Sequence, residues 1–231
     1  MLVATLPDWV EPVARYMATD GLKGTFRVAA ISLTGSLVIG VLLGTLLTIR
    51  FLPSRAAIRL YIEVWRGLPI LVTVFMIFFA LPKLGSQFRF TAFTSASIAL
   101  TLWGSAQVAE ATRGAVQSIP REQQEAAAAL GFGWVGRHAY VILPQALRRL
   151  LPPLVSLLVN IIQNTTLAQV IGAAELLETA ERSVERLGGL QPDGSLGNPH
   201  YLPIFGAVMV VFFVISFPLT RLAAYLERRL V

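Results

Sequence analysis

Four stretches of the chain, residues 28–49, 91–109, 150–174 and 201–220, are apolar over roughly the 20 residues that a helix needs to cross a bilayer. In hydrocarbon every backbone N–H and C=O must be paired inside the protein, so spanning structures are helices or closed barrels, and runs of this length predict helices. A fifth stretch, residues 67–82, carries no charge but is short. It predicts a span if residues 61–66 extend its helix and place Trp65 and Arg66 at the interface. The pattern predicts an all-α integral membrane protein with five transmembrane helices.

Outside the spans the periodicity turns amphipathic. Leu6, Trp9, Val10, Val13 and Met17 alternate with Asp8, Glu11 and Arg15. This predicts a short interfacial helix within an extracytoplasmic segment, residues 1–27, without the positive start and continuous apolar core of a signal peptide. In residues 175–187, Leu176, Leu177, Ala180, Val184 and Leu187 recur at helical spacing and Glu178, Glu181, Arg182, Glu185 and Arg186 fall elsewhere, predicting an outer amphipathic helix. The Gly-, Pro- and Asp-containing stretch 188–198 is then a loop, either a solvated connector or a docking surface.

Polar positions inside the spans are few and patterned. Ser32, Ser36, Gly40, Gly44 and Thr48 recur every four residues, a stripe of small side chains that admits a close neighbour, from this chain or from another subunit. The third span carries Thr94, Ser97, Thr101 and Ser105 near one face, with Trp103, Gln107 and Glu110 on another. Arg113, three residues after Glu110, permits an ion pair. In the fourth span Ser156, Asn160, Gln163 and Asn164 share a face, extended by Thr165 and Thr166. Such amides either line a passage or bind a neighbouring helix.

Composition agrees with the spans. The chain is 55% hydrophobic and 14% charged, against about 25% charged in a soluble domain, and its mean hydropathy is +0.67. It has no cysteine and two histidines, so neither a disulfide framework nor a thiolate or histidine metal site is expected. The net charge of +6 does not point to nucleic acid, because the basic residues flank the spans. Of the 19 lysines and arginines, twelve fall in one set of loops, Arg50, Arg55, Arg66, Arg137 and Arg149 among them. The opposite set is near neutral, with acids such as Asp8, Asp20, Glu178 and Asp193. The positive side is cytoplasmic, which puts the N terminus outside and the C terminus inside.

The loop between the third and fourth spans, about residues 117–147, carries the most specific pattern. Helix formers fill Glu125 to Leu130, Gly131 and Gly133 interrupt the helix, and Pro144 prevents its simple continuation. Glu125-Ala126-Ala127, three residues, Gly131, nine residues, Val141, one residue, then Leu143-Pro144 resembles the cytoplasmic signature of ABC importer membrane subunits. Further likenesses are to the polar amino acid permeases of that class. They are Arg66-Gly67-Leu68-Pro69, the run from Ala109 to Pro120, Gln163-Asn164-Thr165-Thr166-Leu167, Ser216-Phe217-Pro218 and Leu226-Glu227-Arg228-Arg229, so the likeness extends from about residue 21 to 231.

The resemblance implies a type I ABC importer permease: residues 28–231 form the transmembrane domain of a multi-pass protein of the inner (plasma) membrane, in contact with its lipids. It implies pairing with an identical or homologous permease subunit and delivery of a polar amino acid by an extracytoplasmic binding protein. Glu125, Ala126, Ala127, Leu130, Gly131 and Phe132 would couple transport to an ABC ATPase subunit. The chain has no phosphate-cradling Gly-x-x-x-x-Gly-Lys-Ser/Thr loop, so it needs no cofactor, is not itself an enzyme, and leaves ATP and magnesium to the partner. Candidate substrate-path residues are Asn160, Gln163, Asn164 and Thr165 of the fourth span with Ser105 and Gln107 of the third. Many relatives carry Lys-Asp where this chain has Gln163-Asn164, which favours an acidic or neutral amino acid over a cationic one. A self-sufficient channel or ion-coupled secondary transporter is the alternative, disfavoured by the scarcity of intramembrane acids.

Overall fold

A computed structural model describes residues 7–48, 52–192 and 194–230, with the side chains of residues 52–54 left aside. Leu6, Ile49, Arg50 and Asp193, which enter the sequence reading, lie outside these residues. The described chain is helical: α1 (Val10–Leu46), α2 (Leu52–Gly67), α3 (Ile70–Leu84), α4 (Ala92–Gln117), α5 (Arg121–Ala129), α6 (Trp134–Ile171), α7 (Leu176–Gly188) and α8 (Tyr201–Leu230). Its one β-type contact among the described residues is a bridge between Leu190 and Leu196 that closes the loop before α8.

By length and apolarity α1, α6 and α8 can each cross a membrane, and α2 with α3 forms a fourth candidate. This pair is bent by 103°, so residues 61–66 do not extend the helix of residues 67–82 as expected. The sequence explains the break: Pro69 has no N–H to give to the helix and restricts Leu68 before it. Helix α4 is 26 residues long, about 39 Å, and falls short only in apolarity. Its hydroxyls at Ser95, Ser97, Ser105 and Thr112 are buried against protein, so they do not meet lipid.

Helix α1 has a π-helical stretch at Met17–Leu22, and the amphipathic N-terminal segment runs into the first span without a break. Helix α6, at 38 residues, is almost twice the length a bilayer requires. Its start, with Arg137, Arg148 and Arg149, therefore stands outside the hydrocarbon. Pro152 and Pro153 lie inside it.

The chain divides into two compact units. One takes in Met1–Ile31, Leu71–Ala99 and Ile162–Ser216, and the other Ser32–Ile70, Leu100–Ile161 and Phe217–Val231. In the first, Met17, Leu176, Ala180, Val184, Ile204 and Val208 form a core flanked by Trp9 and Val13. The expected apolar stripe of α7 is therefore real, yet Glu178 is also buried and pairs with Arg182. Glu175 caps α7 by accepting from the N–H groups of Leu177 at 3.0 Å and Glu178 at 2.8 Å. At Gly24, a Cβ would strike the carbonyl of Ala174.

In the second unit Leu47, Ile58, Ile62 and Ala109 form a core with Tyr61 beside it. The small stripe of α1 meets α4 of the same chain. A Cβ on Gly40 would collide with Val108 and the Ser105 carbonyl, one on Gly44 with Thr112 and the Ala109 carbonyl, and one on Gly104 with Ser36. These positions serve packing within the chain.

Candidate functional site

Helix α5 ends in a Schellman motif written by Gly131. Leu130 is the last near-helical residue, and Gly131 turns to φ +83°. The Gly131 N–H then bonds the Ala128 carbonyl at 2.9 Å and Phe132 N–H the Ala127 carbonyl at 3.1 Å. A left-handed φ of this kind strains any residue with a Cβ, which is why the sequence needs glycine here. Ala127 is buried, whereas Glu125, Ala126, Leu130, Gly131 and Phe132 are exposed. Val135 and Tyr140, at 72% and 75% exposure, enlarge this surface beside Leu130 at 79%. An exposed patch so apolar has the character of a protein-docking surface.

Buried contacts root the segment. Val116, Ile119, Ile142 and Ala146 cluster beneath it. Arg149 donates from Nη1 to the Ser118 carbonyl at 2.8 Å and to its Oγ at 2.9 Å. The expected pair at the end of α4 forms, with Arg113 Nε 3.0 Å and Nη2 2.5 Å from the two oxygens of Glu110.

Also in the second unit, residues of α4, α6 and α8 line an open cavity of about 460 Å³. Gln107, Ser156 and Asn160 supply its neutral polar groups, Trp103 an aromatic surface, and Glu227 its carboxylate; Pro152 and Pro153 also line it. Two of the candidate path residues, Gln107 and Asn160, thus meet at one site. Ser105 does not: it is fully buried, giving its proton to the Leu102 carbonyl and taking one from Tyr61 at 2.7 Å. In the first unit, Gln163 reaches Ser216 Oγ at 3.4 Å, Thr165 is buried with its hydroxyl on the Ile162 carbonyl, and Asn164 is half-buried. Ala223 and Glu227 were missed by sequence reasoning, although their spacing of four marks one face of α8.

Residues 36–231 match the family described as the binding-protein-dependent transport system inner membrane component. The chain belongs to this family. The permease is 38% identical over 211 residues to the glutamine transport system permease protein of Escherichia coli, covering 91% of both chains. Its fold is similar to the crystal structure of an amino acid ABC transporter with histidines, with a TM-score of 0.80, 26% identity and coverage of 97% and 100%. A methionine ABC transporter in an inward-facing conformation shares the fold at a TM-score of 0.72, with 17% identity and coverage of 94% and 98%. The protein is a permease subunit of an amino acid ABC importer, with the type I permease fold and multiple membrane-spanning helices.

Proposed function

We propose that this permease carries a neutral polar amino acid, with amide side chains foremost, and that the cavity between α4, α6 and α8 is part of its path. The observation that carries this reading is the chemistry of the cavity wall. Gln107 and Asn160 each offer a donor and an acceptor, Ser156 a hydroxyl, and Glu227 a counter-charge for an α-ammonium group. Among the described residues no basic side chain lines it, so an acidic substrate would find no cation there for its side-chain carboxylate. The Escherichia coli relative named for glutamine supports the same class. Gln163 and Asn164 are further candidate path residues in the other unit, whereas Thr165 and Ser105, both fully buried, act only through packing.

In this reading the exposed face of Glu125, Ala126, Leu130, Gly131 and Phe132 seats an ABC ATPase subunit that binds ATP and magnesium, and Ala127 anchors it from beneath. A second permease subunit, identical or homologous, completes the pathway, and an extracytoplasmic binding protein delivers the substrate. The N terminus is outside and the C terminus cytoplasmic.

The test is ATP hydrolysis and uptake by the assembly in lipid vesicles, across a panel of amino acids. Glutamine or asparagine should stimulate most, glutamate weakly and arginine not at all. Asn160→Ala or Gln107→Ala should raise the KM for uptake by about five- to tenfold, the loss of one hydrogen bond of roughly 1 kcal/mol. Strongest stimulation by glutamate would sink the neutral preference, and flux without any ATPase would favour a channel or secondary carrier.

A further inference from the structure

The turn that closes α1 touches the coupling segment through one imidazole. His138 Nε2 lies 3.0 Å from Thr48 Oγ1, and His138 Nδ1 lies 2.9 Å from the Trp134 carbonyl. The same Thr48 hydroxyl is 2.7 Å from the Thr45 carbonyl. The ring is 8% exposed and stacks on Trp134, with centroids 4.1 Å apart and planes inclined by 28°.

Three contacts with a proton each would require three protons, because both carbonyls can only accept. A neutral imidazole and a hydroxyl hold two between them. An imidazolium would fill every contact, but burial lowers the His138 pKa below its usual value; the Trp134 carbonyl opposes that shift and Arg137 adds to it. Helix α5, packed against this stretch, carries Arg121, Glu122 and Glu125, all exposed, while the end of α1 faces the ring with the Thr48 hydroxyl. Burial therefore favours the neutral ring.

Of the two neutral tautomers, the one protonated at Nε2 would point a nitrogen lone pair at the Trp134 carbonyl across 2.9 Å. The one protonated at Nδ1 keeps that bond and accepts the Thr48 proton at Nε2. The Thr48 hydroxyl is within bonding distance of both Nε2 and the Thr45 carbonyl, so its one proton can serve the 3.0 Å and 2.7 Å contacts together, whereas the other tautomer leaves the Nδ1 contact with no proton at all.

We propose that His138, protonated at Nδ1, is a positioning residue that fastens the start of α6 to the end of α1 through the Thr48 hydroxyl, so that the coupling segment and α1 move together. The tautomer stands on this geometry alone, whereas its consequence for transport rests on the coupling role given above.

The chain holds only one other histidine, His200. Histidine-labelled permease carrying His200→Gln, in lipid nanodiscs, gives one pair of ring nitrogen-15 signals. At pH 7.5 they should report a neutral ring protonated at Nδ1, and protonation at Nε2 or a charged ring overturns the proposal. In the complete transporter, Thr48→Val and His138→Phe should each lower uptake per ATP hydrolysed by about threefold or more, with the double variant no worse than the poorer single. Thr48→Ser should restore the ratio. Multiplicative losses, or a Thr48→Ser variant that couples no better than Thr48→Val, would overturn the fastening role. The spectrum is read whether or not any amino acid is transported, so failure of the transport reading remains distinguishable from failure of this one.

Discussion

Glu175 shows how far one residue's environment can depart from its sequence context. Burial raises its pKa to about 7, against the two backbone N–H groups that favour the ionised form, and Glu178 and Glu181 push it up further. Because the folded state holds this proton more tightly than the unfolded chain, its contribution to stability is full below the ordinary carboxylate pKa and is lost as pH rises through about 7. The ceiling is about 3 kcal/mol. The thermal midpoint in nanodiscs should fall between pH 5 and 8 in wild type, and this decline should flatten in Glu175→Gln. A Gln variant that declines equally would show that another group titrates. The sequence announced an amphipathic helix here but not this cap, since a leading glutamate is ordinarily solvated. Likewise Glu178 belongs by periodicity to a polar face, and only the docking of neighbouring helices buries it.

At the scale of the element, the four-residue stripe of α1 was fully legible and its partner was not. Period alone says that a helix comes close; the contacts of Gly40 and Gly44 say that the helix is α4. Gly40→Leu should cost roughly 1–3 kcal/mol or more by overpacking against Val108. Gly67→Ala, where an added Cβ meets nothing within 4 Å, should be nearly neutral. Equal effects of the two substitutions on the thermal midpoint would contradict the packing. The bend between α2 and α3 was misjudged because the apolar run was counted across Pro69. The Schellman turn after Ala129, by contrast, was written plainly in helix formers followed by Gly131, because its chemistry is local.

For the whole molecule, long apolar runs made the membrane class legible, and the ordered motifs made the family legible. The cavity was only half legible: Gln107 and Asn160 stand out as amides within apolar helices, but their convergence with Glu227 depends on how three helices pack. The proposed orientation can be measured directly, since the chain has no cysteine. In intact cells a membrane-impermeant thiol reagent should label Asp8→Cys, and Leu130→Cys only after permeabilisation; the reverse pattern would invert the topology.

The adjacent prolines of α6 carry a mechanical consequence. Neither Pro152 nor Pro153 has an N–H, so the carbonyls of Arg148 and Arg149, four residues back, receive no helical hydrogen bond from them. A rod normally resists flexing because flexing tears its ladder, and here two rungs are missing from the outset. In the coupling role proposed above, torque at the Gly131 end would bend this helix where its ladder is already two bonds short. The joint is written into the covalent chain itself, at two adjacent rings.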